Sequence, residues 1–219
     1  MSIEREGWKL SVEEIAAIQA LSGQTQFVCL TQARQLQPQQ LLNACCSLVK
    51  DRLMTQTNGK YRLSRELAQV MEPVCRARMI LSLMPGKGRR GQRLYYVGQS
   101  VTMMEQSAQG VVLTQLETVE LADVLWECME LHPVQEQHGP APWCPEAFAD
   151  REQLLRGAAY LVEKLDPFTG SRLGWLRILR QALNHEWVQW MPGRLVRQEP
   201  LDGRSFAAAI AMMLEGETV

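Results

Sequence analysis

Hydrophobic positions along this chain change spacing at recognisable points, and each change marks an element. Ile15, Ile18 and Leu21 recur at helical intervals behind Ser11, Glu13 and Glu14. That pattern predicts a helix with a serine N-cap, an acidic first turn and a stop at Gly23. After Pro38, Leu41, Leu42, Cys45, Leu48, Val49 and Leu53 repeat the helical spacing, and proline suits a first helical turn. Thr55 to Leu63 then alternates polar and apolar residues around Asn58-Gly59, the strongest short-range signal for a hairpin. Ser64 caps a third helix through Leu67, Val70 and Met71, with Pro73 close to its end.

Beyond this opening one pattern occurs twice, first from Arg78 to Leu131 and again from Leu173 to Leu214. Met79–Leu83, Leu94–Val97 and Val111–Thr114 are rich in strand formers, and Val119 to Leu131 switches to helical spacing. In the second copy, Trp175–Leu179, Trp187–Trp190 and Arg194–Arg197 precede an amphipathic helix over Phe206–Leu214, within a helical stretch that starts at Asp202. A sheet with a bare apolar face must bury it, so each set of strands is expected to carry its own helix. The expected fold class is α+β: two pseudo-symmetric three-stranded sheet-plus-helix halves behind a winged-helix-like N-terminal segment. The expected divisions are 1–76, 77–133 and 134–219, forming one integrated globule. His132 to Pro145 reads as a proline-broken linker, helix is expected from about Pro145 to Glu163, and Asp166–Gly170 reads as a turn.

Charge narrows the use of that opening segment. The order helix, helix, wing is that of many transcription factors, yet the second helix carries Lys50 and Arg52 against Asp51, both cations at its carboxyl end. A DNA reader places base contacts near the amino end and surrounds them with phosphate contacts. Gln37, Gln39, Gln40 and Asn43 occupy that end and suit adenine, without neighbouring cations. Nucleic acid is therefore not the expected partner, and a net charge of −1 agrees.

Pro85 to Arg93 is glycine-rich and carries Lys87, Arg89, Arg90 and Arg93 with no acid among them. It lacks the Gly-Lys-Ser/Thr that opens a helix in a phosphate-binding loop. A solvated hairpin tip is the simpler reading, and a docking element for an acidic partner the sharper one.

At 219 residues, 46% of them hydrophobic, the chain is long enough for one sizeable core or two modest ones. No apolar stretch reaches the roughly 20 residues needed to cross a bilayer, and the amino terminus lacks the basic start and apolar core of a secretory signal. A cytoplasmic protein without membrane insertion is expected. The six cysteines, Cys29, Cys45, Cys46, Cys75, Cys128 and Cys144, have no paired spacing, as suits reduced thiols.

Candidate chemistry is sparse. His132, His138 and Cys144 are metal-ligand types close together, but their spacing fits no structural zinc pattern. No Gly-x-Ser-x-Gly elbow accompanies the three histidines, His185 falls in an expected hairpin turn, and the acids scatter over caps and exposed faces. No catalytic, cofactor or metal residues are expected, and an enzyme is the less favoured class. Trp187 and Trp190 fall on opposite faces of one strand, so both cannot pack on one helix. Core is the simpler role for each, and a binding anchor the alternative.

The opening Leu10–Ile15, the helix ending Leu48–Leu53, the wing, and Leu67 to Pro73 before a strand resemble the start of EspG-like proteins, cytosolic chaperones of type VII (ESX) secretion. Strands around Trp175 to Arg197 and Pro200-Leu201-Asp202 leading into the last helix are similar too. The chain resembles a compact, non-mycobacterial relative of that family. The resemblance implies two related halves about a pseudo-twofold axis and a helical secretion substrate as partner. It also implies a mobile hairpin loop at Lys87 to Arg93. The alternative is a winged-helix transcriptional regulator whose C-terminal half senses a ligand or dimerises.

Overall fold

The computed structural model describes residues 7–22, 37–86, 91–107, 110–129, 150–180, 185–192, 194–198 and 201–215. Within them the fold is mixed α and β, with a large antiparallel sheet and six α-helices. The chain divides into two compact units: Met1–Ile80 with Arg93–Thr118 and Asp166–Gly170, and Leu81–Gln92 with Val119–Leu165 and Ser171–Val219.

The first unit begins with strand β1 (Trp8–Leu10) and helix α1 (Val12–Leu21). Ser11 caps α1 as its sequence requires: its hydroxyl accepts from the Glu14 amide at 3.1 Å, while the Glu14 carboxylate accepts from the Ser11 amide at 2.8 Å. Helix α2 (Pro38–Lys50) packs on α1 through Ala17, Ala44 and Cys45, with Leu41 and Tyr61 against them. Strands β2 (Met54–Thr57) and β3 (Lys60–Leu63) form the expected hairpin. Asn58 and Gly59 turn it at φ 52 and 74, the left-handed pair of a tight turn whose twist matches the strands. Helix α3 (Arg65–Cys75) starts at its Ser64 cap, whose hydroxyl accepts from the Leu67 amide at 3.3 Å.

Strand β4 (Met79–Pro85) is followed by β5 (Arg93–Val97), β6 (Val101–Ser107) and β7 (Gly110–Leu116). In the first unit the sheet order is β1-β7-β6-β5. Helix α3 lies on these strands, and the buried Thr102 hydroxyl donates to the Val70 carbonyl at 2.6 Å.

In the second unit a short 3-10 turn, Thr118–Glu120, leads into α4 (Leu121–Cys128). Helix α5 (Arg151–Leu155), strands β8 (Ala158–Leu165), β9 (Arg172–Arg180), β10 (His185–Met191) and β11 (Arg194–Gln198), and helix α6 (Gly203–Leu214) follow. The strand order is β4-β8-β9-β10-β11. Asp202 caps α6; Asp166, which belongs to the first unit, closes its turn by accepting from the Thr169 and Phe168 amides. Amide hydrogen bonds, from Ser205 to Asp202 and from Thr169 to Asp166, hold both carboxyls below the usual 3.8. A depressed carboxylate favours the folded state above the unfolded pKa, so this contribution fades as pH falls through the folded values.

Three expectations need correction. The helix drawn from Pro145 to Glu163 is, among the described residues, only α5, because Gly157 adopts φ 76 and the chain then runs as β8. Every residue of β8 is buried, Glu163 and Lys164 included, so no solvent-facing polar side alternates with an apolar one and the signal that identifies a strand is lost. Between Arg78 and Leu131 the structure has four strands where three were expected, β6 being the extra one, and β8 precedes the three expected in the second stretch. Finally, His185 opens β10 opposite Arg180 and is not part of a turn.

Candidate functional site

The first unit holds an open cavity of about 370 Å³, lined by α1, the β2–β3 hairpin and α3. Alternation along β3 turns Tyr61 and Leu63 to the same side, where they join Met54. Ile18 and Leu21 come from the last turns of α1, and Ala68, Met71, Glu72, Cys75 and Arg76 from α3 and its end. Residues 68, 71, 72 and 75 fall on one face because a helix returns every three to four residues. Leu21 remains 44% exposed at the margin.

The polar groups of this groove sit together. Glu72 and Arg76, one helical turn apart, supply both signs of charge beside Ser22 and Cys75. Burial is the main cause that pushes the Cys75 thiol up from 9.0, with the Glu72 carboxylate adding to it; a Ser22 hydrogen bond and the Arg76 charge oppose it. That shift favours the protonated thiol, which lines the groove as a polarisable side chain. Cys46 is exposed on α2. Iodoacetamide at pH 8 is therefore expected to modify Cys46 at least about tenfold faster than the half-buried Cys75, read by peptide mass spectrometry; equal rates would contradict a raised thiol pKa at Cys75.

The second unit has a different polar centre. The Glu163 carboxylate on β8 is fully buried; Arg172 on β9 donates to one oxygen at 2.7 Å, and Arg151 on α5 donates to the other at 3.0 and 2.8 Å. Arg177 is buried on the same face of β9 and donates to the Arg156 carbonyl at 2.9 Å, at the C-terminal end of α5. These groups fasten α5 to the sheet.

Of the residues the sequence singled out, Lys87, Arg89 and Arg90 lie outside the described residues, as do His132, His138, Cys144 and Cys29. Arg93 is directly opposite Glu105 across β5 and β6, 3.2 Å away, so an acid meets the charge that the loop sequence alone leaves open. Trp187 and Trp190 face opposite ways, as alternation requires. Trp187 is buried, on the face of β10 from which Gln189 donates to the Ala209 carbonyl of α6 at 2.9 Å. Trp190 is half-buried opposite Trp175, against the cluster of Met84, Leu154, Leu161, Leu179 and Val188. Both faces of these strands are thus covered, by α5 on one side and α6 on the other. Among the described residues no group of three or more His, Cys, Asp or Glu side chains is placed to hold a metal ion. No described helix is long and apolar enough to cross a membrane.

The groove of the first unit was not legible as a site. Its signal was an excess of apolar positions on the hairpin, where Met54, Tyr61 and Leu63 exceed what a solvated hairpin needs. No family model matches the chain, and no curated protein matches it.

Proposed function

We propose that this chain is a cytoplasmic, non-enzymatic binding protein that keeps a helical secretion substrate soluble, in the manner of EspG-like type VII secretion chaperones. The observation that carries the reading is the open groove between α1, the β2–β3 hairpin and α3. Its volume lies in the usual range for a recognition pocket, and its wall is apolar with a few grouped polar side chains. A groove of this kind receives the apolar stripe of an amphipathic helix, with residues at intervals of three, four and seven entering it. Glu72 and Arg76 at the margin would orient that helix through charged flanks.

Two further features support the family reading. In chain order, β4 to β7 followed by α4 is repeated by β8 to β11 followed by α6, as two related halves would require. The two helices that close these repeats pack on each other, with Trp126 and Phe206 ring centroids 5.5 Å apart. The winged-helix-like order of α1, α2, hairpin and α3 belongs to the same proposal. In it Trp190 and the basic loop of Lys87, Arg89 and Arg90 serve as secondary contacts.

Co-expression with the helical proteins encoded beside this chain tests the proposal. One of them is expected to co-purify as a stoichiometric complex through gel filtration. Leu21→Gln and Ala68→Gln, at exposed positions of the groove, are expected to weaken that complex by about tenfold, the first by removing an apolar contact and the second by placing a longer polar side chain in the groove. Failure of every neighbour to co-purify, or indifference to both substitutions, would remove the groove as the docking site.

A further inference from the structure

We infer that the outward face of the β2–β3 hairpin, together with the end of α2, is a contact surface for the phosphate backbone of duplex nucleic acid, independent of base sequence. The register of the hairpin places Thr55 opposite Arg62 and Thr57 opposite Lys60. These four side chains share one face by alternation, and all four are exposed. The other face carries Tyr61 and Leu63 into the groove, so the cationic face points away from the core.

The chain enters this hairpin from Lys50 and Arg52, both exposed, and leaves it toward Arg65, also exposed. Arg52 adopts φ 60, which turns the chain sharply out of α2. Between Gln37 and Arg65 five cations face a single acid, Asp51. None of the five forms an ion pair with a described residue. A count confined to α2 sees only Lys50 and Arg52; the fold adds Lys60, Arg62 and Arg65 from elements that follow it directly. The closely turned hairpin presents Lys60 and Arg62 on a pre-ordered strand, which lowers the ordering cost of a charged contact.

Base reading is not part of the inference. At the amino end of α2 the Gln39 amide donates to the Asn43 side-chain oxygen at 3.0 Å, and the Gln40 side-chain oxygen accepts from the Gln37 backbone amide at 2.9 Å. Those amides are engaged with one another and with the cap. Charge neutralisation by Lys and Arg remains, and it accounts for most sequence-independent affinity.

Fluorescence anisotropy with a labelled duplex of random sequence tests the surface on the full chain. In about 50 mM salt the protein is expected to bind, with affinity falling as the third to fourth power of salt concentration for about four phosphate contacts. Lys60→Glu with Arg62→Glu should weaken binding at least about tenfold at an unchanged thermal midpoint. The control pair Lys9→Glu with Arg204→Glu, also exposed, should bind as the parent does. Absence of binding by the parent chain, equal loss in both pairs, or equally tight binding of polyglutamate in competition would each overturn the assignment.

Discussion

Replacing Trp175 by alanine is expected to cost about 4 kcal/mol of stability, whereas phenylalanine at the same position should cost about 1 kcal/mol. The large cost follows from position. Trp175 is fully buried among Met84, Leu154, Leu161, Leu179 and Val188, and it faces Trp190 across the β9–β10 ladder. Truncation opens a cavity between sheet and α5 that strands hydrogen-bonded on both sides cannot close. The small cost of phenylalanine follows from chemistry: the indole N–H of Trp175 has no hydrogen-bond partner among the described residues. Removing it forfeits no bond and relieves a buried donor. Urea denaturation read by far-ultraviolet circular dichroism checks both values, and a costly phenylalanine variant would show that the indole nitrogen is engaged.

Glu163→Ala is expected to cost about 3 kcal/mol, more than either Arg151→Ala or Arg172→Ala. The carboxylate is wholly buried and both its oxygens are held by guanidinium groups. Without it Arg172, with a side chain only 21% exposed, keeps a poorly hydrated charge; Arg151, 49% exposed, can turn toward water. That difference places the estimate at the lower end for a broken buried pair. It also ranks the arginines, since losing Arg172 strips Glu163 of its more buried partner. Replacement by glutamine should fall between alanine and the parent, because the amide fills the space and retains one acceptor. The same urea titration decides the ranking. An alanine variant as stable as the parent would mean that the ion pairs contribute nothing.

What the sequence announced locally, the structure contains. Ser11 with Glu14, Pro38, Asn58-Gly59 and Ser64 each act within three or four residues, and their elements start or turn there. Features that depend on distant residues stayed hidden. Nothing near Glu163 indicates that Arg172 nine positions on and Arg151 twelve positions back will enclose it. The stretch Ala158–Leu165 looked helical because burial on both faces erased its alternation. In β6, Met103, Met104, Glu105 and Gln106 are weak strand formers, and pairing with β5 and β7 fixes their conformation. The groove is legible only in part. Tyr61 and Leu63 alternate visibly along β3, but the meeting of α1 with α3 is a tertiary event.

The most direct test of the proposed function is amide hydrogen exchange of the chain alone and in its co-purified complex. Strong protection on binding is predicted over Ile18–Ser22, Met54–Leu63 and Ala68–Arg76, the three stretches that wall the groove. Unchanged exchange in all three, with protection confined to the second unit, would contradict it.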